Sequence, residues 1–412
     1  MNWKILTATI ILSVLLVGCA ADIEPIEPAD DSKATAEGAK TVIDANNQFA
    51  LEFYSKINGD ENIFFSPYSI SAALAMTYEG ARGKTADEIQ SVFHFPGDDN
   101  IRRPSFARIY NQINKQDKKY KLNTANALWA QEDYAFLPEY LGLVEQYYGG
   151  KTTNLDFVTK TEESRQIINN WVEEQTNNKI KDLIPAGALD SMTRLVLTNA
   201  IYFKGTWVLK FNRRHTGEAD FRISPGRTVK VPMMSLTGEK ARFNYTFIPE
   251  EGLQVLEMPY AGEELSMLVL LPKEGGLAAL EESLTVERLN ELRGSLREMK
   301  IDVYMPKFKF ETKYFMSKVL AEMGMPTAFS MAADFSGMDG TDMLFISKVI
   351  HQAFVEVNEE GTEAAAATAV VMTLKSAMPT VFRADHPFIF IIQERETGNI
   401  LFLGKVVDPS QA

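Results

Sequence analysis

Hydrophobic positions come in three regimes along the chain. A largely apolar run without charges, ILTATIILSVLLVG (5–18), is followed by a stretch without aromatic residues (20–40), and from Thr41 a periodic pattern sets in. Phe49, Ala50, Phe53, Tyr54 and Ile57 recur at helical spacing and predict an amphipathic helix over 41–57. In FFSPYSISAALAMTYEG (64–80), Ser66 can cap a helix, Pro67 suits its first turn and Gly80 its stop. Thr85-Ala86-Asp87-Glu88 fits a capping box and predicts a short helix ending near His94. Ile167, Ile168, Trp171 and Val172 share one face of a helix over 161–178, and another helix is predicted from Val286 to Leu296.

The rest of the pattern has the period of strands. LVLTNAIYF (195–203) and LSMLVLLP (265–272) are continuous apolar runs, as expected of strands buried on both faces. KIDVYMPKFKFE (300–311) alternates more openly. IHQAFVEVN (350–358) sets His351, Ala353, Val355 and Val357 on one face, with Gln352, Glu356 and Asn358 on the other. FIFIIQ and ILFLGKVV, joined by ERETGN, predict a terminal hairpin. A length of 412 residues would allow two or three domains. With no repeat and no second linker, the pattern predicts one large mixed α+β domain over 41–412.

Composition adds little to this picture. Hydrophobic residues are 45% of the chain and charged ones 24%, as in ordinary globular proteins. A net charge of -13 argues against nucleic acid as the main partner. Lys115, Lys118, Lys119 and Lys121 stand out against that acidic average; they could bind a polyanion or simply form a solvated helix face. The stretch GARGKT (80–85) has Tyr78 where a phosphate-binding loop needs its first glycine. The four histidines, His94, His215, His351 and His386, have no metal-ligand spacing, so neither metal nor cofactor is expected. A hydrolase built on Ser66 or Ser69 with His351 is conceivable, yet no nucleophile-elbow motif accompanies them.

The N-terminus carries more information. Lys4 precedes the apolar run, which ends in Leu16-Val17-Gly18-Cys19, and Cys19 is the only cysteine. Residues 1–18 resemble a prokaryotic lipoprotein signal peptide, which implies cleavage before Cys19 and lipidation of its thiol. Residues 19–40 are rich in acidic and small residues and read as a flexible tether. The expected location is extracellular, at the cell surface and lipid-anchored, or secreted if Cys19 carries no lipid.

Six segments, in order, point to one family: NIFFSPYSISAALAM (62–76), LTNAIYFKGTW (197–207), MPKFKFE (305–311), DFSGM (334–338), ISKVIHQAFVEVNEEGTEAAAATA (346–369) and HPFIFIIQERETGNILFLGKVVDP (386–409). Together they resemble a serpin over essentially everything from residue 41 onwards. The resemblance implies three β-sheets, about nine helices and an exposed reactive loop near the C-terminus. It also implies a monomeric, one-use inhibitor of serine proteases rather than an enzyme. The protease attacks the loop, and the cleaved loop then inserts into the central sheet and traps the acyl-enzyme.

On this reading the hinge comprises Glu359, Gly361, Thr362, Glu363, Ala364, Ala365, Ala366, Ala367 and Thr368. Gly361 offers a permissive backbone. Thr362, Ala364, Ala366, Thr368 and Val370 alternate onto one face, all small or β-branched and uncharged, so that face can enter a core. From Gly361 to Lys375 an extended strand spans on the order of 45 Å. The family's spacing from the hinge glutamate places the scissile bond at Lys375–Ser376, a bait for trypsin-like proteases. A shifted register would offer Leu374 or Met372 to a chymotrypsin-like enzyme instead. Ser66, Ser69, Asn199 and His351 resemble the polar cluster beneath the point where the sheet opens, and Trp207 the aromatic at its upper entrance. A non-inhibitory carrier or chaperone on the same fold is the alternative.

Overall fold

A computed structural model of the chain describes residues 28–115, 118–362 and 380–411. Its centre is a six-stranded sheet in the order β11 (Phe308–Phe315), β12 (Ile346–Asn358), β13 (Gly361–Thr362), β4 (Leu195–Thr206), β2 (Tyr120–Gln131) and β3 (Lys151–Leu155). A second sheet runs through β1 (Ile63–Phe65), β16 (Ile400–Val406), β15 (Phe388–Glu394), β9 (Leu265–Leu271), β8 (Leu253–Pro259) and β7 (Arg242–Ile248) to β10 (Arg297–Pro306). Strand β10 belongs to two sheets. Arg297–Lys300 pair with β7, whereas Val303–Pro306 pair with β6 (Arg227–Leu236), flanked by β5 (Gly217–Ser224) and β14 (Thr380–Arg383). The alternating run over 300–311 is therefore two strands in different sheets, divided at Lys307.

Ten α-helices surround the sheets among the described residues: α1 (Ala36–Ile57), α2 (Pro67–Gly80), α3 (Gly83–Phe93), α4 (Asp99–Ile113), α5 (Pro138–Tyr148), α6 (Thr161–Gln175), α7 (Leu277–Ser283), α8 (Val286–Ser295), α9 (Ser317–Met323) and α10 (Ser336–Asp339). Helix α2 is buried nearly all round, as its apolar composition requires. The large core includes Leu195, Leu197, Ile201, Val349, Ala353 and Val355 from the central sheet. On the opposite face of that sheet, Val196, Ala200, Tyr202, Ile350 and Phe354 pack with Ile168 and Val172 of α6. Strands β4 and β12 are thus covered on both sides, which is why their sequences are apolar almost without interruption.

Four local expectations are corrected. Thr85 does not cap α3; the helix begins at Gly83, and the Thr85 hydroxyl accepts from Asp334 N at 2.9 Å. Ile167 is exposed, so the buried face of α6 is Ile168 and Val172, with Trp171 packed beside them. Residues 28–40 belong to the body rather than to a tether. Helix α1 starts at Ala36 on its Thr35 cap, and Asn111 of α4 both donates to and accepts from the backbone of Ala29, each at 2.8 Å. The side-chain amide satisfies backbone groups that composition alone leaves without a partner. Finally, Lys115, Lys118 and Lys119 lie between α4 and β2, and Lys121 in β2 itself, not on a helix face. Lys118 there pairs with Glu264 at 2.9 Å, while Lys115, Lys119 and Lys121 are exposed. Cys19 and the expected signal peptide over 1–18 lie outside the described residues.

Candidate functional site

The site is built along the seam where β12 and β4 run parallel, Ile346–Phe354 beside Leu195–Tyr202. Midway, His351 and Asn199 are register partners, both directed towards α2. The His351 ring presents Nδ1 to Asn199 Oδ1, and its Nε2 accepts from the backbone N–H of Ser66 at 3.1 Å. Asn199 Nδ2 donates to Ser69 Oγ and to Asn126 Oδ1, each at 2.6 Å, and Ser66 Oγ donates to the Leu401 carbonyl at 2.6 Å. Four of the residues singled out in the sequence, Ser66, Ser69, Asn199 and His351, form one buried network across the seam. It also recruits Asn126, which no sequence signal marks.

This network is neutral. Burial pushes the His351 imidazole down to about 3, with the hydrogen bond to Asn199 opposing. Its Nε2 is an acceptor and its Nδ1 a donor, as the neutral tautomer requires. Ser66 meets the ring through its backbone, and its hydroxyl is turned to Leu401, so no nucleophile–base pair forms. Each hydrogen bond is worth about 1 kcal/mol net, but leaving one buried partner unpaired costs more.

Above Phe354 the two strands part, and β13 fills the gap. Gly361 and Thr362 pair antiparallel with Asn358 and Val357 on one side and with Thr206 and Gly205 on the other. The approach is close. A Cβ on Gly361 would lie 1.9 Å from the Gly205 carbonyl oxygen, and its φ of +151° is one that residues with a Cβ rarely adopt. Thr362 points into the large core, its Oγ1 2.8 Å from the Tyr260 hydroxyl. Trp207 stacks on Tyr260, and its Nε1 donates to the Asn358 carbonyl at 3.1 Å.

Two carboxylates hold the chain entering β13. Glu359 accepts from Thr216 Oγ1 at 2.8 Å and pairs with Lys307 at 3.0 Å. Burial raises the Glu359 carboxyl, but these bonds and its own backbone outweigh it and leave the group below its ordinary value. Glu360 is equally buried; Arg213 lies at 3.2 Å and Lys210 at 3.8 Å. Of the predicted hinge, Glu359, Gly361 and Thr362 are thereby placed. Glu363, Ala364, Ala365, Ala366, Ala367 and Thr368 lie outside the described residues, as does the bond Lys375–Ser376. Tyr260, Thr216 and Arg213 carried no sequence signal. Lys307 lies inside MPKFKFE without a signal of its own.

No group of three or more His, Cys, Asp or Glu residues suited to a metal occurs among the described residues. No helix among them is long and apolar enough to cross a membrane.

Comparison with known proteins agrees with this geometry. A profile of the serpin (serine protease inhibitor) family matches residues 44–409. An uncharacterized serpin-like protein of Thermococcus kodakarensis is 42% identical over 99% of both chains. The human leukocyte elastase inhibitor is 44% identical over 89% of this chain and 98% of its own. Among solved structures, uncleaved ovalbumin superposes with a TM-score of 0.81 at 36% identity, over 89% of this chain and all of its own. The three sheets, their shared strand and the matched sequence agree: this chain belongs to the serpin family.

Proposed function

We propose that the protein is a suicide inhibitor of serine endopeptidases of the trypsin type. Lys375–Ser376 is the bait bond, and the cleaved loop traps the acyl-enzyme by continuing β13 down the seam between β12 and β4. The observation that carries this reading is the pairing of Gly361 and Thr362 between those strands. A strand already begun at the mouth of a parallel seam needs only more residues to extend it. From Ala364 to Val370 the alternate positions are all small or β-branched, so they match the buried path. A human relative that inhibits leukocyte elastase supports the inhibitory reading, with Lys375 redirecting it to a basic-residue specificity. We place the protein at the cell surface, held through a lipid on Cys19. Mixing it with trypsin tests the proposal: a complex that survives denaturing electrophoresis, with cleavage after Lys375, is the expected result. Cleavage without such a complex contradicts it.

A further inference from the structure

The segment 363–379 is anchored at its far end by β14, whose four residues pair in parallel with Ile301–Tyr304 of β10 and with no other strand among the described residues. Arg383 lies 3.8 Å over the Tyr304 ring, and Ala384 N donates to the Tyr304 carbonyl at 2.9 Å. Asp385 then accepts from Arg222 of β5 twice, through its carboxylate and through its carbonyl, each at 2.8 Å.

Next to it, His386 is buried with both ring nitrogens engaged. Nδ1 lies 2.9 Å from Asp385 Oδ1, and Nε2 lies 2.6 Å from the carbonyl oxygen of Pro272, just beyond β9. A carboxylate and a carbonyl oxygen only accept, so both ring nitrogens must carry protons. The charged groups acting on the ring are Asp385 and Arg222; Arg383 acts on Asp385, and Glu274 lies 3.0 Å from Arg222 Nε. Burial and the Arg222 charge disfavour the cation. The bonds to Asp385 and Pro272, with the Asp385 charge, outweigh them and raise the imidazole above its ordinary value.

The anchor limits what the uncleaved chain can do. Below Gly205, β4 has ten residues, Leu195 to Lys204, and the segment 363–379 has seventeen. Ten residues laid along the seam would leave seven, or on the order of 23 Å of chain, to return over on the order of 33 Å of strand. Uncleaved insertion along the whole length of the seam therefore requires β14 to leave β10.

We propose that His386, as the imidazolium, is a proton-dependent latch that holds β14 on β10 and positions the distal end of the reactive loop. Its consequence for the loop rests on the inhibitory reading; the latch itself does not. Losing the proton removes one hydrogen bond and the charge pair with Asp385. The hold is complete below the ordinary histidine range and is lost as pH rises through the raised folded value.

Hydrogen exchange on the full chain between pH 5.5 and 8.5 tests this, with the protection of Val381–Arg383 read relative to β6. The expected ratio falls about tenfold or more with rising pH, the worth of one charge-assisted hydrogen bond. In His386→Gln it is low and flat. In parallel, 15N titration of the imidazoles should show His386 with both nitrogens protonated and a midpoint above the ordinary histidine value of about 6.5. A constant exchange ratio in the wild type, or a midpoint at or below that value, overturns the latch even if the variant does not fold. Failure to trap trypsin with the pH-dependent exchange intact would sink the inhibitor reading and leave the latch standing.

Discussion

Trp207 and Tyr260 stack with ring centroids 4.6 Å apart and planes 13° apart, directly over the point where β13 enters the central sheet. Trp207 holds the chain before β13 through Asn358, and Tyr260 holds β13, the proposed hinge, through Thr362. The pair therefore reports on whether the hinge is in the sheet or out of it.

Tyr260→Phe keeps the ring stack and removes the partner of Thr362 Oγ1. The hinge should lose about 1 kcal/mol of its hold. Faster hydrogen exchange at Glu360–Thr362 and a shift in Trp207 emission are the expected readouts, and unchanged exchange would show that the hydroxyl contact holds nothing.

Thr362→Arg would place a charge in the core beside Tyr260 without a counter-ion. Burying it costs several kcal/mol, enough to slow insertion behind hydrolysis of the acyl-enzyme. The variant should be cleaved by trypsin as a substrate. Persistent covalent complexes would contradict the assignment of this face to the core.

Lys375→Glu sets a carboxylate against the acidic specificity pocket of a trypsin-like enzyme, a mismatch worth several kcal/mol. Inhibition of trypsin should fall at least about a hundredfold, measured as the second-order rate of complex formation. An unchanged rate would move the bait to another bond.

His351 makes the seam sensitive to acid. Its folded value, pushed down to about 3 by burial, lies below the ordinary value near 6.5. The unfolded chain therefore binds the proton first. Stability from this residue is fully present above pH 6.5 and is lost as pH falls from there towards 3. The loss is about 2 kcal/mol by pH 5. His386 acts with the opposite sign, so the comparison that isolates the effect is wild type against His351→Gln by urea unfolding at pH 7 and 5. The variant should lose less stability between the two pH values than the wild type.

The sequence made some of this site legible and hid the rest for physical reasons. His351, Ala353, Val355 and Val357 share a face because strand side chains alternate, and that is the face directed at α2. Ser66 announced itself as a helix cap before Pro67, and it caps α2 by accepting from Ser69 N at 3.2 Å. Thr85 looked like a cap too, but a tertiary partner, Asp334, claimed its hydroxyl. Asn126, Tyr260 and Thr216 owe their roles to strands and turns far away in sequence, and no local pattern encodes such meetings. Helix α4 leaves little trace in the sequence because Pro104 lies inside it and its apolar stripe is weak. The attachment of Ala29 to the body was invisible because two hydrogen bonds with Asn111, not a periodic apolar pattern, hold it in place.

The central claim, that the cleaved loop becomes a strand between β12 and β4, is tested most directly by thermal unfolding before and after cleavage within residues 363–379. About ten added strand residues, each worth about 1 kcal/mol in net hydrogen bonding, should raise the unfolding temperature by on the order of 10 °C. A cleaved protein that unfolds at the same temperature as the intact one, or below it, would mean that the seam stays closed and that the trap does not exist.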